Sequence, residues 1–197
     1  MRQAAEHVRV WDAWVRVLHL VFIGGVTAAW FTRHSPGPWH EWIGYGVLAA
    51  LGMRLIWGRV GPANARFAGF VRNPRTTLHY VRELLRGRAP RYLGHNPLGA
   101  WMIVWLLTLL ALISLSGWLA TTDRYWGVAW VMNLHLWASW ALLASVPMHI
   151  AGAVHASRKH RENLLASMLH GRKRAASGDD VDLRELSAPA VPGRNTR

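Results

Sequence analysis

The chain has 197 residues, the length of one ordinary domain, and it is 52% hydrophobic yet carries a formal charge of +13. Apolar and charged residues must therefore be segregated along it. The absence of Cys excludes disulfides, iron–sulfur clusters, thiolate zinc sites and the C-x-x-C-H attachment of c-type haem. Any metal or cofactor has to be held by His, Met, carboxylate or backbone.

The first apolar stretch covers residues 12–31. Asp12 and Arg16 crowd its start and no small-residue cleavage site follows Phe31, so it reads as a membrane span and not a cleaved signal. A second span covers 39–57, with Arg54 near its end. The segment Gly58–Pro97 then carries eight Arg against the single acid Glu83. Within it, Pro74–Arg88 (PRTTLHYVRELLRGR) has Leu78, Val81 and Leu85 at helical spacing, the pattern of a basic amphipathic helix lying in the headgroup layer.

Asn96-Pro97-Leu98-Gly99 turns into a third span over 98–121, and a fourth covers 129–156. Both lie in runs without Asp, Glu, Lys or Arg, from Tyr92 to Thr122 and from Tyr125 to Ser157. Either run is long enough for a hydrocarbon core of roughly 30 Å, which takes about 20 residues. The stretch RKHRENLLASMLHGRKR reads as a short surface helix on anionic lipid. Residues 1–170 thus form one membrane domain, and 171–197 read as a disordered basic and polar tail.

Positive charge marks the cytoplasmic side. The connections Thr32–Pro38 and Asp123–Val128 hold one Arg each, whereas the long loop, the leader and the tail are rich in them. The expected fold class is an all-α integral membrane bundle of four transmembrane helices, both termini cytoplasmic, with the amphipathic helix between helices 2 and 3. Membrane lipid accounts for the basic charge, and no nucleic acid is expected as a partner. The thirteen Trp suit the membrane–water interface, where Trp126, Trp130 and Trp137 form either an aromatic belt or a quinone or partner surface.

Five of the eleven His fall inside spans, and four of them, all but His155, form depth-matched pairs. By this topology His40 and His135 lie in the outer leaflet, and His19 and His149 in the inner one. His135 and His149 are fourteen residues apart; at about 1.5 Å and 100° per residue they stand about 21 Å apart and return to within roughly 40° of one direction. Two haem groups stacked across the bilayer, each held by two imidazoles, fill that arrangement. A lone membrane His is often only a hydrogen-bonding group between helices, but four in depth-matched pairs are costly in lipid and read as functional. Gly44, Gly152 and the pair Gly24-Gly25 give room for a flat macrocycle, although glycine also serves plain helix packing. His34, His79, His95, His160 and His170 fall in loops or tails and read as solvated; His155 points to another face. Arg16 and Arg54 either snorkel to inner headgroups or pair with the propionates of the inner haem. Glu41 is either a proton carrier at the outer face or an interfacial carboxylate.

With these residues assembled, the chain resembles the bacterial cytochrome b561 family, grouped with the b-type subunits of nickel–iron hydrogenases. Three stretches carry the likeness: V-W-D-A-W-V-R-V-L-H ending at His19, W-H-E-W-I-G-Y-G around His40 with M-R-L-I-W-G closing that helix, and the His135–His149 spacing. Leu20 stands where the family commonly has Trp. The resemblance implies a multi-pass protein of the bacterial inner membrane that binds two b haems, pairing His19 with His149 and His40 with His135. It implies single-electron transfer between quinone (ubiquinone or menaquinone) and a partner at the outer face, a c-type cytochrome or superoxide, as an electron-transfer protein or a quinone-linked oxidoreductase, with a homodimer left open. Two other functions compete. One is a b-type anchor subunit of a hydrogenase or dehydrogenase. The other is a His-based divalent-metal transporter, which would call for acidic residues along the path that no span interior contains.

Overall fold

The structure, a computed structural model, describes residues 7–178 and 180–182. Its elements in chain order are β1 (His7–Arg9), α1 (Ala13–Thr32), α2 (Trp39–Val60), α3 (Phe67–Phe70), α4 (Pro74–Leu85), α5 (Pro97–Ala120), α6 (Ala129–Lys159), α7 (Leu164–His170) and β2 (Arg172–Arg174). Among the described residues the fold is all-α, with one pair of three-residue strands.

Helix starts follow local chemistry. Asp12 accepts from Val15 N–H at 3.1 Å, Asn73 from Thr76 at 2.8 Å, Asn96 from Gly99 at 2.7 Å and Asn163 from Ala166 at 2.9 Å. Each side chain satisfies an amide that the first turn leaves without a partner. Pro74 and Pro97 begin α4 and α5, where the missing N–H costs nothing.

Three helices, α1, α5 and α6, are long and apolar enough to cross a membrane. The 22-residue α2 has the length, about 33 Å, but Glu41, Arg54 and Arg59 make it more polar. Backbone packing is closest between α5 and α6, then between α1 and α2 and between α2 and α5. Val47, Leu51, Leu109, Leu110 and Leu142 are the buried centre of this bundle. By contrast, α6 meets α1 and α2 across long side chains: Trp30–Trp140 and two pairs of imidazoles.

The helix expected in the long loop is α4. Its Leu78 and Leu85 are 51% and 83% exposed, so the apolar stripe is free for lipid, while Tyr80 packs on Tyr92.

The beginning of the expected disordered tail is ordered. Arg172–Arg174 pairs antiparallel with His7–Arg9, opposing Val8 to Lys173, and Tyr92 bridges Val181. Gly171 makes the junction: at φ 79° it caps α7, and its carbonyl accepts from Val10 and Trp11. A Cβ there would stand 2.9 Å from the Trp11 carbonyl oxygen. Buried Arg91 then ties the chain down through Glu162 at 3.0 Å and Asp180 at 2.6 Å. Backbone pairing and ion pairs hold this segment where its composition offers no apolar core. Residues 179 and 183–197 of the expected tail lie outside the described residues.

Candidate functional site

Two facing pairs of imidazoles occupy two levels of α6. His40, in the first turn of α2, faces His135 with ring centres 6.1 Å apart and planes at 75°. His19 of α1 faces His149 at 6.5 Å and 62°. The four side chains come together in the combinations that depth alone pairs.

The backbone orients the first pair. His40 Nδ1 lies 2.9 Å from the Ala29 carbonyl, one of the last four of α1, which no amide of that helix can satisfy. His135 Nδ1 lies 3.0 Å from the Ile113 carbonyl of α5, with Ser116 Oγ at 3.3 Å. A carbonyl only accepts, so Nδ1 carries the hydrogen in both rings and Nε2 keeps its lone pair. Gly117 admits the His135 ring to α5, since a Cβ would stand 3.2 Å from Cε1. Among the described residues, neither His19 nor His149 makes a hydrogen bond through its ring.

Each pair is spaced so that its two imidazoles could hold one metal ion between them. A metal–imidazole bond of about 2.0–2.1 Å, with the nitrogen about 1.1 Å from its ring centre, puts two centres roughly 6.3 Å apart across one ion. Both observed separations lie within a few tenths of an ångström of that. Among the described residues no group of three His, Cys, Asp or Glu converges, so a bare divalent ion would lack ligands. Two imidazoles suffice only where the ligand brings its own equatorial donors, as a porphyrin does. There is also room: at Gly24, Gly44 and Gly152 a Cβ would meet no atom within 4 Å.

The two candidate arginines have different settings. Arg16 donates through Nε to the Met168 carbonyl at 3.3 Å and through Nη2 to that of Leu169, so it caps the C-terminal end of α7, where a cation suits the helix dipole. Its Nε and Nη2 are engaged there because α7 folds back beside the start of α1. Arg54 is 5% exposed, with its guanidinium 4.7 Å from the Phe67 ring centre. Its Nη1 is buried without a hydrogen-bond partner among the described residues.

One histidine departs from the solvated reading. His95 is held between Trp11 and Phe70, at 4.5 and 4.6 Å between ring centres, and its Nδ1 is buried without a partner among the described residues. Burial pushes its pKa down to about 3, helped by the nearby Lys173, Arg54 and His149. It is therefore neutral at pH 7. Its place just before the Asn96 cap is the one sequence signal that sets it at the inner level. Glu41, Trp126, Trp130 and Trp137 are all exposed.

Long apolar helices joined by stacked imidazole pairs define a multi-pass membrane protein built for planar metal cofactors. The chain belongs to the prokaryotic cytochrome b561 family, whose model matches residues 10–171. It is thus a b-type membrane cytochrome, a haem-binding protein of electron transfer. Among curated proteins nothing matches the chain.

Proposed function

We propose that the protein is a di-haem cytochrome of the bacterial inner membrane that passes single electrons across the bilayer. The observation that carries this reading is the pair of facing imidazole sets, at 6.1 and 6.5 Å, at two levels of one helix. In this reading α2 is the fourth span, and both termini and the α2–α5 loop are cytoplasmic. His40 and His135 would hold the outer haem b, and His19 and His149 the inner one. When bound, each haem supplies a one-electron iron couple that the polypeptide itself lacks.

The chain's own residues do the rest. Backbone carbonyls of Ala29 and Ile113 fix the outer imidazoles with Nε2 free, and the helices wrap the sites in low dielectric, which sets potential. Arg54 offers a buried cation to the inner haem's carboxylates. Electrons run between quinone, ubiquinone or menaquinone, and a partner at the outer face, a c-type cytochrome or superoxide. The short connections 33–38 and 121–128 leave little outer surface for a large docked enzyme, which favours a conduit over an anchor subunit.

The test is a dithionite-reduced minus oxidised spectrum of detergent-purified protein, with haem counted per chain. Two b haems are expected, falling to one in His135→Ala. One haem or none in the unmodified protein would overturn the reading.

A further inference from the structure

Three buried basic side chains gather at the inner end of the bundle. Asp12 and Glu162 act on Arg54 and Lys173 through space, but among the described residues no carboxylate forms a salt bridge with any of the three. Arg54 comes from α2, with Nη1 unpartnered among the described residues. His95 comes from the loop before α5, with Nδ1 likewise unpartnered among those residues. Lys173 comes from β2 and is only 4% exposed. Its ammonium donates to the carbonyls of Leu93 at 2.9 Å and Gly94 at 3.4 Å and lies 5.3 Å from the Trp11 ring centre.

A continuous row of rings joins the three: Arg54 over Phe67, Phe67 on Phe70, Phe70 on His95, His95 on Trp11, and Trp11 under Lys173. Burial lowers the Lys173 pKa to about 8, against the raising influence of Glu162, so it is still a cation at pH 7. Among the described residues neither Lys173 nor Arg54 makes an ion pair. Arg91 shows the contrast. It is as buried, and the fold supplies it with two carboxylates, Glu162 and Asp180. A buried cation without a carboxylate in direct contact is costly, and here two cations lacking one among the described residues flank a neutral imidazole near His149.

We infer that Arg54, His95 and Lys173 form a carboxylate-binding recess beneath the His19–His149 pair, and that its occupants are the propionates of the inner haem. This rests on the proposed function and adds two residues to it, one from the α4–α5 loop and one from the C-terminal strand. Propionates are the fitting carboxylates because they arrive tethered to a group already held by His149. Their two charges match the two cations, and a carboxylate accepts from His95 Nδ1–H as from Lys173's third donor. It follows that β2 is part of the cofactor site and not only a cap.

The test uses the haem-loaded protein as purified, carrying ¹³C in the propionate carboxylates. Redox titration and redox-difference infrared spectra are compared for the unmodified protein, Lys173→Met, Lys173→Arg, Arg54→Gln and His95→Leu. Loss of a buried positive charge near one iron should change its reduced-to-oxidised ratio on the order of tenfold toward oxidised, about 59 mV for one electron. Only one of the two components should move, with its labelled carboxylate bands, and Lys173→Arg should restore both. His95→Leu should shift the same bands with a smaller change of potential. Loss of one haem in Lys173→Met but not in Lys173→Arg also supports the inference; if Lys173→Met does not accumulate, Arg54→Gln gives the reading. Two bound haems whose bands ignore all these substitutions would overturn it while leaving the proposed function intact. A potential that moves without the bands, or that follows added citrate or phosphate, overturns it as well. Unmodified protein without two haems is failure of the proposed function instead.

Discussion

His135 and Ile113 are joined by a 3.0 Å hydrogen bond from the imidazole Nδ1–H to the α5 carbonyl. His40 makes the matching bond to Ala29 at 2.9 Å, and the rings of His19 and His149 make none among the described residues. An N–H held by a carbonyl makes the opposite nitrogen more basic, and a more basic axial ligand favours the oxidised metal. The two sites are therefore built unequally by the backbone. If the buried cation Arg54 lies against the inner haem as proposed, its charge favours the reduced metal there.

Both effects push the same way, so the outer site should have the lower potential. Redox titration of His40→Ala and His135→Ala checks this. The lower-potential component should vanish and the higher one persist; loss of the higher component would show that other features dominate.

Gly117→Ala puts a Cβ 3.2 Å from His135 Cε1 and 3.3 Å from Nδ1. The ring must retreat by a few tenths of an ångström, loosening its bond to Ile113. Overpacking of this kind costs about 1–3 kcal/mol. One of two low-spin electron paramagnetic resonance signals should shift, with both haems retained. Unchanged signals would mean that α5 absorbs the added methyl.

How far the sequence alone reaches is clearest at the histidines. Their pairing follows from helix rise, helix period and the charge asymmetry of the loops, which are properties of single segments. His95 is different: its surroundings are Trp11 and Phe70, from two other segments, and no spacing rule joins them. Lys173 sits in a basic tripeptide without alternation and is buried by loop carbonyls and the Trp11 face. Arg16 points at α7 because α7 folds back beside α1, a tertiary fact that the W-D-x-x-x-R-x-x-H stretch does not hold.

Gly44 separates a packing role from a cofactor role. In the protein alone a Cβ there meets nothing within 4 Å, and alanine in a helix interior is favoured over glycine by about 1 kcal/mol. A macrocycle beside His40 would take that space. Gly44→Leu should keep the helical circular dichroism and lower the haem count from two towards one. Gly25→Leu is the comparison, since even its Cβ would stand 2.6 Å from Val47 Cγ2, so it should lower thermal stability outright. Two full haems in Gly44→Leu would place the macrocycle elsewhere.

The network around Arg91 sets the acid limit of the C-terminal strand. Burial alone would raise the Asp180 pKa, but the Ser177 N–H, the Arg91 hydrogen bond and the charges of Arg91 and Arg174 together hold it below the ordinary value. A carboxyl depressed in the fold stabilises it fully above its unfolded pKa of about 3.9. That contribution is lost as pH falls through the lower folded value. Hydrogen exchange at Arg172–Arg174 should stay protected at neutral pH and rise below about pH 4. Arg91→Ala leaves Glu162 and Asp180 without their buried partner, at a cost of about 3–5 kcal/mol. It should bring the same rise at pH 7, with α5 and α6 still protected. Protection of the strand unchanged in Arg91→Ala would mean that the β1–β2 pairing holds it without the ion pairs.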